Sequence, residues 1–132
     1  MPKKSRRKRH GLEVDREAVK VLRTLTEEEA FHFYAAVDKP TGESARSLSD
    51  FLGKMKHVNL ESLEFHHQRK DFQKWIKSTI GDSRLARRIG RIRPSITDEA
   101  RAKICTTVEN RIKELEVAPL VLSVSQDMVV AT

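Results

Sequence analysis

Ser47, Asn59, Asp71, Asp82 and Thr97 each stand directly before a stretch whose apolar residues recur every three or four positions. A side-chain oxygen at such a place accepts amide protons that the first helical turn leaves unpaired. This repeated punctuation predicts short helices over Leu48–Lys56, Leu60 to about Gln68, Phe72–Ile80 and Ser83–Ile92, and a longer one over Asp98–Glu116. The last is the clearest, with Ala100, Ile104, Val108, Ile112 and Leu115 forming one continuous stripe. Gly81 falls where a helix ends in the left-handed conformation, Gly90 weakens the last turn of its helix, and Pro94 bars continuation.

Ahead of these, Val14, Ala18, Val21 and Leu25 predict a helix from about Glu13 to Leu25. Thr26 with Glu29 reads as a capping box. The segment it opens, through Phe31, Phe33, Tyr34 and Val37, fits a helix by its glutamates and a short strand by its Phe31/Phe33 alternation. Asp38–Gly42 reads as a turn. Phe51, Phe65, Phe72 and Trp75 fall on apolar faces and are expected to fill the core. The expected fold class is all-α: a compact bundle of about six short helices. Its organisation is a basic arm at 1–11, a helical domain at 12–116 and an apolar C-terminal extension at 117–132, containing Pro119, that docks extended or stays flexible.

A chain of 132 residues suits one core. Its apolar runs, such as Ala118–Leu122, are far short of the roughly 20 residues of a membrane span. The charged N-terminus has no apolar stretch behind it and does not read as a secretory signal. The single cysteine, Cys105, excludes an internal disulfide and a cysteine zinc site. A cytoplasmic location is expected.

Charge is the more informative feature. Lys3, Lys4, Arg6, Arg7, Lys8 and Arg9 supply six of the seven excess positive charges. Such a block repels itself in isolation and condenses on a polyanion, releasing counterions; the alternatives are a targeting signal or a solubilising tail. A second pattern lies in the helix after Asp82. Arg84, Arg87, Arg88 and Arg91 follow the i, i+3, i+4, i+7 spacing of one face, with Arg93 close by and no acid from Ser83 to Arg93. Leu85, Ile89 and Ile92 form the neighbouring stripe. Guanidinium groups in a fixed row suit bidentate phosphate contact; the alternative is a solvated face paired with Glu109 or Glu114.

Phe33-Tyr34, Thr41-Gly42, Ser62-Leu-Glu-Phe-His66, Asp71-Phe-x-x-Trp-Ile76 and Gly81-Asp82 follow one another in an order that resembles a small prokaryotic helical domain family of unknown function. The resemblance covers roughly residues 30–115 and implies a helical fold and no particular reaction. Lys70 stands where many relatives have glycine, which implies a less forced turn in this chain.

Catalytic constellations are scarce. His66 and His67 are adjacent and diverge by about 100° on a helix, and no His-x-x-x-His occurs, so no metal site is expected. His66 is expected to be partly buried and bonded to a carboxylate such as Glu61 or Glu64. Glu61, Glu64 and Asp71 read as helix first-turn charges or caps rather than an acid–base pair. Cys105 reads as a small core residue, and the isolated glycines form no phosphate loop. Phe31–Tyr34 is the one candidate for base stacking. No enzyme activity and no cofactor are expected.

The expected function is therefore binding of structured RNA, as an accessory component of a ribonucleoprotein, the ribosome foremost. The arm and the arginine helix would touch phosphates, with neighbouring proteins of the assembly as further partners and no membrane role. A DNA-associated protein and an interaction adaptor docking through Val117–Val130 are the alternatives.

Overall fold

A computed structural model describes residues 16–93 and 98–131, with side chains through Glu116. Helix α1 covers residues 16–21, shorter than the expected Glu13–Leu25, whose first residues lie outside the described range. Ala18, Val21 and Leu25 are all buried, so the predicted apolar face holds although the helix ends before Leu25. Thr26 and Glu29 form the capping box, the Glu29 carboxylate accepting from the Thr26 amide at 3.4 Å and its hydroxyl at 3.2 Å. It caps only the 3-10 turn Glu27–Glu29.

The chain then departs from the all-α expectation. Phe31–Ala36 forms strand β1 and Lys39–Ala45 forms strand β2, an antiparallel two-stranded sheet. Phe31 pairs with Ala45, Tyr34 with Pro40 and Ala36 with Lys39. The tight turn lies at Val37–Asp38, with Asp38 at φ 60, and residues read as turn belong to β2. The physical reason is that β2 is a polar edge strand burying only Ala45. Its pairing comes from β1, and no apolar alternation marks it. Gly42 at φ 86 supplies a backbone conformation that side chains disfavour.

From Ser47 onward, Ser47, Asn59 and Asp82 cap their helices as expected, whereas Asp71 falls inside its own helix. Helix α2 spans Leu48–Met55, with the Ser47 side chain accepting from the Asp50 amide at 3.0 Å. Helix α3 spans Leu60–Gln68, with Asn59 accepting from the Ser62 amide at 2.9 Å. Helix α4 spans Asp71–Trp75 and runs into a π-helical turn, Ile76–Ile80, that ends at Gly81 with φ 90. Arg23 donates to the Thr79 and Ile80 carbonyls at 2.7 and 3.2 Å, tying the end of α1 to that turn. Helix α5 spans Ser83–Gly90, with Asp82 accepting from the Leu85 amide at 3.0 Å. Pro94 and Thr97 lie outside the described residues.

Helix α6 spans Asp98–Ala131 and so continues through the segment expected to be extended or flexible; the side chains beyond Glu116 lie outside the described residues. Its stripe Ala100, Ile104, Val108, Ile112 and Leu115 is buried throughout. It joins Phe51, Leu63, Phe72, Trp75, Ile76, Leu85 and Ile89 in one core. The fold is helix-rich, with six α-helices and one small sheet among the described residues. No described helix is long and apolar enough to cross a membrane.

Candidate nucleic-acid interface

The residues of the Ser-Leu-Glu-Phe-His and Asp-Phe-x-x-Trp segments turn out to fasten the sheet to the helices. Ser62 and His66 lie one helical turn apart on α3 and both reach the backbone of Tyr34 in β1. The Ser62 hydroxyl donates to the Tyr34 carbonyl at 2.7 Å, and the Tyr34 amide donates to His66 Nε2 at 2.8 Å. Thus α3 satisfies backbone groups of β1 at a place where its pairing with β2 bulges. Because Nε2 accepts, the His66 proton sits on Nδ1, which donates to Asp71 Oδ2 at 2.9 Å. Arg69 Nε donates to the same oxygen at 3.2 Å. Trp75 Nε1 donates to the Glu29 carbonyl at 2.9 Å, and Phe72 is fully buried.

His66 was expected to meet Glu61 or Glu64; its partner is Asp71, because the chain doubles back after α3 and Asp71 does not act as the cap of α4. Lys70 occupies that position instead, in the left-handed conformation at φ 63. The turn is therefore more demanding for lysine than the resemblance implied. Burial lowers the affinity of His66 for a second proton despite the neighbouring Asp71. An open cleft of about 410 Å³ is lined by Tyr34, Phe65, His66, Arg69 and Asp71 among others, with the Arg69 guanidinium 4.9 Å from the centre of the Phe65 ring. Both nitrogens of its imidazole are already bonded, which leaves no lone pair to take a proton from a bound molecule. Phe31 and Phe33 are buried, so the expected base-stacking segment presents neither ring.

The arginine row divides in two. Leu85, Ala86 and Ile89 seat α5 in the core. Arg88 turns toward α6 and donates to Glu114 at 2.9 Å. Arg84, Arg87, Arg91 and Arg93 are exposed, and none forms an ion pair with another described residue. The alternative reading of a paired face thus holds for Arg88 alone. Beneath this helix lies an ion cluster that sequence spacing does not reveal. Arg111 of α6 is 5% exposed at its side chain; its Nε donates to Asp82 Oδ2 at 2.7 Å, and its terminal nitrogens reach Glu17 at 2.7 Å and Glu114 at 3.2 Å. Burial works against its charge, but Asp82, Glu114 and Glu17 outweigh that and hold its proton more firmly. Hydrogen bonding to Arg88, with Arg111 alongside, draws the Glu114 carboxyl below the usual range against a smaller effect of burial.

Arg87 also has a second neighbourhood. With Ser83 and Ala86 of α5 it faces Lys70, Gln73, Lys74 and Lys77 across a groove of about 410 Å³. Four cations and, among the described residues, no carboxylate line it. The expected arm residues Lys3, Lys4, Arg6, Arg7, Lys8 and Arg9 lie outside the described residues.

A family model described as a family of unknown function (DUF5752) matches residues 11–109. The chain belongs to that family. The match begins just ahead of the first expected helix, whereas the resemblance covers the chain only from about residue 30. No curated protein and no solved structure matches the chain. In this DUF5752 domain the signature segments explain architecture, and one of them also carries Lys74 of the groove, while Arg84, Arg87 and Arg91 follow it in the chain. No cluster of metal-ligating side chains occurs among the described residues. Cys105 is half-buried on α6, and burial pushes its thiol up, away from a reactive thiolate.

Two groups escape a reading by spacing alone. Lys70, Lys74 and Lys77 keep the i, i+4, i+7 spacing of one helical face, but only the packing of α4 against α5 brings them to Arg87. His67 is buried and donates from Nε2 to the Ile92 carbonyl at 2.9 Å, while its Nδ1 meets no partner among the described residues.

Proposed function

We propose that the chain binds structured RNA by its phosphates, as an accessory component of a ribonucleoprotein, with the ribosome as the foremost assembly and the cytoplasm as the compartment. The observation that supports this reading is the outer face of α5. Arg84, Arg87 and Arg91 stand exposed on a helix fixed in the core, without an acidic partner among the described residues. Arginine in that state is suited to forked contact with phosphate oxygens. The six cations of the arm add a second contact that follows a polyanion in proportion to its charge. Contacts of both kinds position a protein on RNA without reading its bases.

The test is co-sedimentation of the native protein in lysate with and without ribonuclease. Movement with large particles that collapses to a small free species only after ribonuclease supports RNA assembly. Sedimentation unchanged by ribonuclease sinks it, and sensitivity to deoxyribonuclease alone points to DNA.

A further inference from the structure

The groove between α4 and α5 carries four cations where an ordinary surface mixes signs. Lys70 caps α4, Lys74 lies in its last turn and Lys77 in the π-helical turn that follows; Arg87 comes from α5 on the opposite side, with the Ser83 hydroxyl beside it. None of the four forms an ion pair with another described residue. Like charges gathered in one concavity repel one another and focus a positive potential into it, which an anion relieves. The two walls also differ in chemistry: ammonium groups act as compact point charges, and the guanidinium offers a planar fork.

The walls are held at a fixed separation. Phe72, Trp75 and Ile76 on one side and Leu85, Ala86 and Ile89 on the other are buried in the same core. Gly90 sits where an added Cβ would lie 3.1 Å from Gln73 Oε1, so the missing side chain lets the Gln73 amide lie close against α5. That close approach accounts for a helix-weakening glycine in α5.

We propose that this groove is a phosphate-binding site that takes a chain of successive phosphate groups between the lysine wall and Arg87. The proposal rests on the RNA reading for its physiological ligand, the sugar-phosphate backbone. The shared chemistry also admits free polyphosphate. A chain of phosphates carries enough negative charge to answer all four cations, which a single phosphate does not.

The experiment compares the full chain with two double variants, Lys74→Glu/Lys77→Glu in the groove and Arg84→Glu/Arg91→Glu on the outer face. Each is checked for helicity by circular dichroism. All of these side chains are exposed, so both variants are expected to fold. Two probes are titrated: an RNA duplex and inorganic tripolyphosphate. The expected result is that the groove variant loses tripolyphosphate binding and at least about tenfold in RNA affinity, the loss shrinking at high salt, while the outer-face variant keeps its tripolyphosphate affinity. A groove variant that binds both probes as the parent does would overturn the proposal, even if the outer-face variant has lost RNA and the RNA reading stands. If the parent binds tripolyphosphate through the groove and binds no RNA, the RNA reading fails and the groove remains a phosphate site with polyphosphate as its ligand.

Discussion

Two single residues make contrasting demands on the fold. His66 is neutral by construction: its Nε2 accepts from the Tyr34 amide and its Nδ1–H is spent on Asp71. A second proton would place an N–H against an N–H. His67 is likewise held below its ordinary affinity for protons, chiefly by burial. Both groups therefore bind fewer protons folded than unfolded. Their contribution to stability is fully present above about pH 6.5 and declines as pH falls through the folded values. Thermal melting followed from pH 7.5 down to 5 should show a steady fall, and His66→Ala should flatten that slope. The same variant should cost about 2 kcal/mol or more, since the half-buried Tyr34 amide loses its acceptor and the buried imidazole its packing. A melting temperature indifferent to pH across that window would contradict the neutral assignment. Lys70 is the opposite case, a surface residue in strain. At φ 63 it adopts a conformation that costs a side-chain-bearing residue about 1 kcal/mol relative to glycine. Lys70→Gly should raise the melting temperature by a few degrees and weaken tripolyphosphate binding by removing one groove cation. A rise in stability without loss of binding would take Lys70 out of the site.

Among the elements, α5 separates architecture from surface within eight residues. Arg88→Glu sets a carboxylate beside Glu114, whose present hydrogen bond to Arg88 it also removes. It should lower the melting temperature while disturbing RNA affinity less. Arg87→Glu/Arg91→Glu reverses two charges that meet no acid among the described residues, and should leave melting nearly unchanged while RNA affinity falls. The reverse ordering of the two variants would mean that the row is structural. Arg111→Ala, by contrast, strands Asp82, whose side chain is 1% exposed, and should cost about 3–5 kcal/mol by chemical denaturation. These differences also measure what was legible beforehand. The α5 row obeys the helical period and could be read directly, as could the caps at Ser47, Asn59 and Asp82. Strand β2 could not, because its Pro, Thr, Gly and Glu carry no alternation and it exists by pairing with β1. Nor could the groove, since its lysines and Arg87 come from different elements, and helical spacing says nothing about which surfaces then meet.

At the scale of the whole molecule, a nearly neutral domain acquires a cationic face by spending its acids elsewhere. Glu17, Asp82 and Glu114 surround Arg111, Glu43 holds Lys54, and Asp98 and Glu99 pair along α6 with Arg101 and Lys103. Among the described residues, Arg84, Arg87 and Arg91 and the groove lysines Lys70, Lys74 and Lys77 meet no acid, while the arm adds six further cations. The relative weight of arm and domain is measurable from the salt dependence of RNA binding. Deleting residues 2–10 removes no apolar side chain other than that of Pro2, so melting should not change. The slope of log affinity against log salt should fall by roughly five units if all six cations touch duplex phosphates, at about 0.9 per contact. The truncated chain should keep a slope of roughly three if Arg84, Arg87 and Arg91 each meet a phosphate, and more if the groove lysines join them. A truncated protein with no residual slope would assign all electrostatic binding to the arm and leave α5 and the groove without a ligand. A slope untouched by truncation would assign it all to the domain. Only an intermediate slope, falling further in Arg87→Glu/Arg91→Glu on the truncated background, supports an arm and a rigid helix gripping the same polyanion.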